Sequence, residues 1–326
     1  MAAFSNVPDF VLGPTNAEDL AWVPGSRWLI ASGMDSSGVP DGHLYLVDMD
    51  VMESTEIFPG EVGFELDAAT FGDVAQPSIA GFCAHGLALR EGADGVHTLY
   101  VVNHGGREAI EVFAVDARGE QPRLTWVGAV IQAPGVWGNA VVALPDGGIA
   151  ATNYLDLRDP HAFDKVYAGE VTGNLKEWHG REWEDVPGSE LSSPNGLEVS
   201  PDGRWYFVNC WSSMRFVRLS RGSAEIDRRE VELGFLLDNV KWAPDGRLLV
   251  AGQASTPAAV FERFNSEDVC NIPSRVVALD PETLEAEVLV EISHDVFGTG
   301  STALIVGDDL WVGSARSDRI ARFAGH

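Results

Sequence analysis

Basic residues are scarce in this chain of 326 residues. Lys and Arg together number 22 against 49 Asp and Glu, which gives a formal net charge of −27 at pH 7. A charge of this sign repels polyanions, so nucleic acid and anionic membrane surfaces are excluded as partners. Cations and small molecules remain as candidate ligands.

Long apolar runs and cysteines are also few. The longest apolar stretches, such as Ala140–Leu144, are far shorter than the roughly 18 residues that a membrane-spanning helix needs. No Lys or Arg precedes Arg27 and no continuous apolar block opens the chain, so no secretory signal is visible and we expect a cytoplasmic protein. Three scattered cysteines cannot build a disulfide framework or a cysteine-rich zinc site, and we expect Cys83, Cys210 and Cys270 to be buried free thiols.

Helical periodicity is scarce as well, whereas short alternating or β-branched runs bounded by turn residues occur throughout. One unit recurs, consisting of a polar residue, an apolar strand, a Gly or Asp turn and a second strand. Its copies begin at Glu18, His85, Asn139, Asn195, Asp238 and Ser301. The separations of 67, 54, 56, 43 and 63 residues each leave room for a four-stranded sheet. The sequence therefore predicts an all-β chain that forms a single six-bladed β-propeller over residues 1–326. A pair of sandwich domains is the alternative, but it gives no reason for six copies of one hairpin.

Polar residues at the repeat starts predict a metal site. In a propeller the innermost strand of each blade starts at the mouth of the central channel, so these residues should meet there. Ca²⁺ takes about six to eight oxygen ligands and suits a set of two carboxylates and three amides better than Mg²⁺, which keeps more of its own water. The alternative is that Asn and Asp only cap or turn the chain before each strand. The predicted ligands of one calcium ion are Glu18, Asn139, Asn195, Asp238 and Asn239.

Two histidines are placed by the hairpin of the second repeat. His85 begins its inner strand and His104 ends the next strand, with the turn pair Asp94-Gly95 midway between them. Antiparallel pairing about that turn brings both imidazoles to the same rim. Beside a cation, one imidazole can remove a proton from water while the other accepts or orients it. A structural pair that caps the rim is the alternative.

Aromatic residues near the repeat starts and hairpin ends are candidates for an apolar wall over the metal. Together with the serine that begins the sixth repeat, the candidate pocket residues are Trp22, Trp137, Trp211, Phe297 and Ser301.

Seven segments, spread in order over nearly the whole chain, carry a family resemblance. They are AEDLAW (Ala17–Trp22), HGLAL (His85–Leu89), YVVNHGGREAIEVF (Tyr100–Phe113), GNAVVALPDGGIAATN (Gly138–Asn153), SPNGLEVSPDG (Ser193–Gly203), LDNVKWAPDG (Leu237–Gly246) and STALIVGDDLWVGS (Ser301–Ser314). These segments resemble the paraoxonase/arylesterase family and, more distantly, the gluconolactonase and senescence-marker propellers. The paired-histidine segments and the Glu-Asp and Asp-Asn dipeptides are what point to the arylesterase branch.

The resemblance implies a six-bladed propeller whose catalytic Ca²⁺ is held by the five oxygen-bearing residues named above, with His85 and His104 acting on water. The family hydrolyses lactones and, less selectively, aryl esters. Its members usually hold a second, structural calcium, for which Asp19 and the carbonyl of Leu87 are available here. Ala140, however, stands where the family has a third ligand, an Asp. The hydrophobic N-terminal helix of the animal enzymes is missing, so lipoprotein association is not expected.

The sequence thus favours a Ca²⁺-dependent hydrolase of lactones or carboxylic esters. The cation would polarise the carbonyl, and His85, assisted by His104, would be the general base, with Asp238 as the alternative base. A second hypothesis is a sugar-lactone hydrolase that uses the metal alone. A third is a non-catalytic binding propeller in which calcium only joins the blades.

Overall fold

The computed structural model describes residues 4–34, 42–60, 62–264 and 270–326. In the first part of the chain the strands are β1 (Asp9–Leu12), β2 (Ala17–Trp22), β3 (Trp28–Gly33), β4 (His43–Asp48), β5 (Glu53–Phe58), β6 (Gly63–Phe64), β7 (Ala84–Arg90), β8 (Val96–Asn103), β9 (Ala109–Asp116) and β10 (Arg123–Ile131). They continue as β11 (Val136–Ala143), β12 (Ile149–Asp156), β13 (Asn174–Trp178), β14 (Trp183–Asp185), β15 (Pro194–Val199), β16 (Trp205–Cys210), β17 (Arg215–Ser220), β18 (Arg228–Glu232), β19 (Leu236–Trp242), β20 (Leu248–Gln253), β21 (Ser274–Leu279), β22 (Ala286–Ile292), β23 (Gly300–Val306), β24 (Asp309–Ser314) and β25 (Arg319–Phe323). The helices are α1 (Ala68–Phe71), α2 (Ala162–Ala168) and α3 (Pro257–Phe264), with 3₁₀ turns at Ile79–Gly81 and Ala93–Gly95.

Within the described ranges these strands form six sheets that surround a central channel as a six-bladed β-propeller, which confirms the predicted fold class. Blades 1 to 5 begin with β2, β7, β11, β15 and β19, each followed by the next three strands in antiparallel order. Blade 2 gains β6, which pairs parallel to β10. Each inner strand contacts the inner strand of the next blade, and β23 returns to β2. None of the helices in the described ranges is long and apolar enough to cross a membrane.

The composition of each strand follows its distance from the channel. An inner-half strand such as β20, with the sequence LLVAGQ, is buried along its whole length because sheets cover both of its faces. The outermost strand β18 of the neighbouring blade, with the sequence RREVE, is exposed at nearly every residue. This gradient from apolar to charged is what orients each sheet radially.

Apolar clusters fill each of the six interfaces between neighbouring blades. The ring is closed by the chain's first strand, because β1 pairs antiparallel with β25 and completes blade 6. Val11 of β1, Leu29 of β3 and Trp311 of β24 belong to the cluster that joins blade 6 to blade 1. Closure therefore depends on packing between the two ends of the chain.

We expect Trp311→Ala to lower the free energy of unfolding by about 3–5 kcal/mol, because the indole is 1% exposed and its loss leaves a cavity at the closing interface. Denaturant unfolding measures the change. Trp22→Ala is the matched control, since that indole is 38% exposed and its loss should cost less than about 1.5 kcal/mol. Equal losses for the two variants would contradict the role given to the closing cluster.

Candidate metal and catalytic site

All six inner strands carry a β-bulge at the same level of the channel. Each bulge sets one or two residues of the inner strand out of register with the second strand of its blade, so their side chains turn into the channel. The bulged residues are Glu18-Asp19, His85-Gly86, Asn139-Ala140, Asn195-Gly196, Asp238-Asn239 and Ser301. The polar repeat starts seen in the sequence are therefore bulge residues inside the strands.

Glycine at two of these bulges allows neighbouring blades to approach closely. A Cβ atom on Gly86 would lie 2.3 Å from the carbonyl oxygen of Asn139, and one on Gly196 would lie 2.6 Å from the carbonyl oxygen of Asp238. Both distances are below van der Waals contact, so only glycine fits. The tight approach brings the bulge side chains of adjacent blades together.

Four of the bulge side chains form a ring around the channel, which we call the oxygen ring, and they belong to Glu18, Asn139, Asn195 and Asp238. Two of its members, Glu18 and Asp238, are carboxylates with almost no access to water. Glu18 is 1% exposed and Asp238 is 6% exposed. The amide nitrogen of Asn239 donates to Glu18 Oε1 at 2.6 Å, and the amide nitrogen of Gln253 donates to Asp238 Oδ2 at 2.7 Å. These two bonds fix the orientation of the acidic groups.

Three further oxygens of the ring are buried without a hydrogen-bond partner among the described residues. They are Oε2 of Glu18, Oδ1 of Asn139 and Oδ1 of Asn195. A buried polar atom without a partner costs free energy, and a cluster of such oxygens indicates a missing ligand. Carboxylate and amide oxygens are the ligands that Ca²⁺ prefers, so Glu18, Asn139, Asn195 and Asp238 fit a hard divalent cation.

The donor set combines two carboxylates with two amides and contains no thiol or imidazole. In the described ranges no three side chains of His, Cys, Asp or Glu come together as a metal-binding group. A thiolate or imidazole metal centre therefore has no counterpart at these residues, whereas an oxygen-liganded ion does.

Electrostatics at the ring also favour a cation. Burial and the charge of Glu18 together raise the pKa of Asp238 well above its usual range. For His85, burial lowers the pKa, but the nearby charges of Glu18 and Asp238 outweigh it and the pKa is raised. A positive ion at the ring would relieve the repulsion between the two carboxylates and favour the ionised form of Asp238.

A chain of hydrogen bonds links the two predicted histidines to a glutamate. Nδ1 of His85 lies 2.8 Å from Nε2 of His104, and Nδ1 of His104 lies 3.0 Å from both carboxylate oxygens of Glu108. On the other side, Nε2 of His85 lies 3.2 Å from Nδ2 of Asn139 and 3.6 Å from Oε1 of Glu18. Glu108 was not predicted from the sequence, although it follows His104 by four residues in the HGGRE segment.

An apolar cavity of about 240 Å³ opens above the ring. Helices α2 and α3 cover it, and edge-to-face ring contacts run without a break from the histidine chain to the far wall. The rings in this series are His104, Trp137, Phe163, Phe261 and Trp211, with centroids 5.6 to 6.3 Å apart. The indole of Trp211 also donates to Gln253, which holds Asp238. Trp137 and Trp211 thus line the cavity, as the sequence indicated, whereas the two covering helices and Gln253 were not predicted.

Three predicted pocket residues lie elsewhere. Trp22 is four residues beyond Glu18 on the same strand, about 13 Å along the channel at roughly 3.3 Å per residue, and lines a different cavity with Lys241 and Trp242. Phe297 is fully buried against Phe10 between blades. Ser301 is buried as well, and its hydroxyl donates to the backbone carbonyl of Glu18 at 2.7 Å. Proximity in sequence to a repeat start does not determine which end of the channel a side chain faces.

The oxygens available for a second calcium ion are already engaged. Oδ2 of Asp19 and the carbonyl oxygen of Leu87 both accept hydrogen bonds from Nζ of Lys241, each at 2.8 Å. Ala140, at the position of the family's third ligand, offers only a methyl group. A second, structural ion therefore does not fit these residues.

We expect Glu18→Gln to weaken calcium binding at least about tenfold, because it removes a charged ligand from the ring. Isothermal titration calorimetry on the metal-free protein measures the affinity. Glu198→Gln is the matched control, since Glu198 lines the cavity at the other end of the channel. An affinity unchanged in Glu18→Gln, or lowered equally in both variants, would contradict the assignment of the ring.

No family model matches the chain, and no curated protein sequence matches it. Solved structures match its fold at low sequence identity. A gluconolactonase from Xanthomonas campestris is 16% identical with a TM-score of 0.57, and the match covers 100% of this chain and 98% of that one. A calcium-binding protein, regucalcin, from Agrobacterium tumefaciens is 13% identical with a TM-score of 0.54, covering 99% and 94% of the two chains.

A Thermus thermophilus protein assigned provisionally as an oxidoreductase (glucose dehydrogenase) is 15% identical with a TM-score of 0.53, covering 97% and 99%. Relatives described by such different activities share the propeller with this chain, and at these identities the likeness establishes the fold alone. The structural neighbours of the chain are thus six-bladed propellers that include gluconolactonase and regucalcin.

Proposed function

We propose that this protein is a Ca²⁺-dependent hydrolase of lactones that also accepts carboxylic esters, including aryl esters. One observation carries the proposal: the unpartnered oxygens of Glu18, Asn139 and Asn195 lie beside a Glu108–His104–His85 hydrogen-bond chain at the floor of an apolar cavity. Oxygen ligands, a proton acceptor and an apolar substrate space are the parts that hydrolysis of a carbonyl substrate needs.

The hydrogen bonds assign the protons along this chain. The carboxylate of Glu108 can only accept, so Nδ1 of His104 carries a proton and Nε2 of His104 carries a lone pair. Nδ1 of His85 then donates to His104, which leaves the lone pair of His85 on Nε2. The amide nitrogen of Asn139 can donate to that same atom, in agreement with the assignment.

This arrangement directs the basic nitrogen of His85 toward the oxygen ring. His85 would take a proton from water at Nε2 as the water oxygen attacks the carbonyl carbon of the substrate. The Nδ1 proton can pass to His104, whose positive charge the Glu108 carboxylate stabilises. The ring C–O bond of the lactone then breaks, and its oxygen takes the proton back from Nε2 of His85 while His104 returns the Nδ1 proton. A hydroxy acid is released, and both imidazoles are neutral again.

The residues that would hold the ion are Glu18, Asn139, Asn195 and Asp238. Asn239, which the sequence predicted as a fifth ligand, instead directs its amide nitrogen to Glu18 and would position the glutamate. When bound, Ca²⁺ would supply a Lewis acid for the carbonyl oxygen of the substrate. Asp238 is the alternative base, but Gln253 donates to one of its oxygens, and among the described residues no second proton acceptor stands behind it as His104 stands behind His85.

The cavity walls support a substrate with an apolar acyl or aryl group. Trp137, Phe163, Phe261 and Phe264 line it, and these side chains offer few hydrogen bonds to a polyhydroxylated ring. A sugar-lactone hydrolase is the second candidate, because one of the fold neighbours is described as a gluconolactonase. The two candidates differ in the substrate that the cavity prefers.

A panel of alkyl lactones, aryl esters and gluconolactone, assayed with and without a chelator, tests the proposal. We expect turnover of alkyl lactones that is lost on complete removal of calcium and restored on its return. Activity that survives calcium removal would overturn the metal-dependent mechanism. A preference for gluconolactone over alkyl lactones would favour the second candidate, and calcium binding without turnover of any substrate would favour a binding propeller.

We expect Glu108→Gln to lower kcat about tenfold to a hundredfold while KM and calcium affinity stay within about twofold, because the amide no longer stabilises a positive His104. Steady-state kinetics and calcium titration measure the three quantities. Glu170→Gln, an exposed glutamate just after α2, is the control and should match the parent protein. A kcat unchanged in Glu108→Gln would exclude a role for Glu108 in stabilising His104; if His85→Gln also leaves kcat unchanged, the histidine chain is excluded and Asp238 remains as the base.

A further inference from the structure

Asp19 is a buried carboxylate that the proposed chemistry does not use. It is the second residue of the β2 bulge and is 1% exposed. Its Oδ1 accepts from the backbone N–H of Leu20 at 2.8 Å and from the hydroxyl of Thr302 at 2.9 Å. Its Oδ2 accepts from the backbone N–H of Leu87 at 2.7 Å and from Nζ of Lys241 at 2.8 Å. With four bonds, the carboxylate has reached its usual accepting capacity.

Lys241 is the positive partner in this cluster, and it reaches across the channel from another blade. Its ammonium group donates to Asp19 on β2 and to the carbonyl oxygen of Leu87 on β7, while the lysine itself belongs to β19. Its side chain is only 13% exposed. With Thr302 on β23, the cluster ties together four of the inner strands.

A divalent ion placed between Asp19 and Leu87 would bind the same two oxygens that the ammonium group binds. Both distances from Nζ are 2.8 Å, which is the length of a charge-assisted hydrogen bond. Ala140 supplies no oxygen at the neighbouring bulge. The oxygens of Asp19 and Leu87 therefore satisfy an ammonium group, but the third ligand that a metal ion would need is not present at Ala140.

We propose that the ammonium group of Lys241 is a fixed internal cation that takes the place of a structural metal ion, so that no divalent cation binds between Asp19 and the carbonyl of Leu87. The group is covalently part of the chain, and chelators cannot remove it. This inference is independent of the proposed catalytic function, because none of its residues belongs to the oxygen ring or to the histidine chain.

Thermal unfolding in excess EDTA measures how much the ammonium group of Lys241 stabilises the protein, because the chelator removes any contribution from bound metal. We expect Lys241→Met to lower Tm by roughly 5 °C, because it leaves the Asp19 charge buried without a partner. The double variant Lys241→Met/Asp19→Asn removes both charges and should recover at least about half of that loss. Lys176→Met is the matched control, since the Lys176 side chain is 15% exposed, much like that of Lys241, but its partner Asp185 is 67% exposed on an outer strand, so its loss should shift Tm by less than about 1.5 °C.

If Lys241→Met does not fold, the double variant Lys241→Met/Asp19→Asn still tests the proposal, because it carries no unpaired Asp19 charge and should fold. A loss in Lys241→Met no larger than in the control would overturn the proposal. A double variant that is less stable than Lys241→Met would overturn it too.

Equilibrium dialysis, which counts the calcium ions bound per chain, tests the claim that no divalent cation binds beside Asp19. We expect at most one ion per chain in the parent protein, and clearly less than one in Glu18→Gln at the lowest concentration that saturates the parent. An ion retained by Glu18→Gln but lost when Asp19→Asn is added would overturn the proposal. No bound ion in the parent protein would count against the proposed hydrolase, yet it supports the absence of metal beside Asp19.

Discussion

Repulsion between buried negative charges is the constraint on which the channel depends. The inner strands bring Glu18, Asp19 and Asp238 into an interior with little water, where each unpaired charge costs several kcal/mol. Beside Asp19, the ammonium group of Lys241 supplies the opposite charge from within the chain. Beside Glu18, by contrast, buried oxygens have no hydrogen-bond partner among the described residues, and a soluble cation is the natural complement to them. The same physical demand is thus met once by a side chain and once by a ligand site.

The sequence predicted the architecture because the fold repeats a local signal. Each hairpin carries its own alternation and turn, so six copies were visible without any knowledge of long-range contacts, and the hairpin about Asp94-Gly95 placed His85 beside His104. The closing pair of β1 and β25 joins chain ends, and no local pattern reports such a pairing.

The sequence predicted only those site residues whose position is determined by their own strand. Glu18, Asn139, Asn195 and Asp238 sit at equivalent bulges, so their convergence follows from the repeat itself. Lys241 was missed because its function lies in contacts with two other blades, and Gln253 because it acts through Asp238 and Trp211. Trp22 was misplaced because the distance of a few residues along a strand was ignored. In each case the missing quantity was depth along the channel, which is a property of the assembled ring.

The aromatic cover of the cavity comes from insertions in separate blades. Helix α2 follows the second strand of blade 3 and α3 follows the second strand of blade 5, and they meet above the ring without taking part in any sheet. The exposed rings of Phe163 and Tyr167 belong to this cover and not to the clusters between blades. Ligand preference can therefore change by exchange of two short insertions, while the oxygen ring and the histidine chain lie on the blades below them and are inherited unchanged.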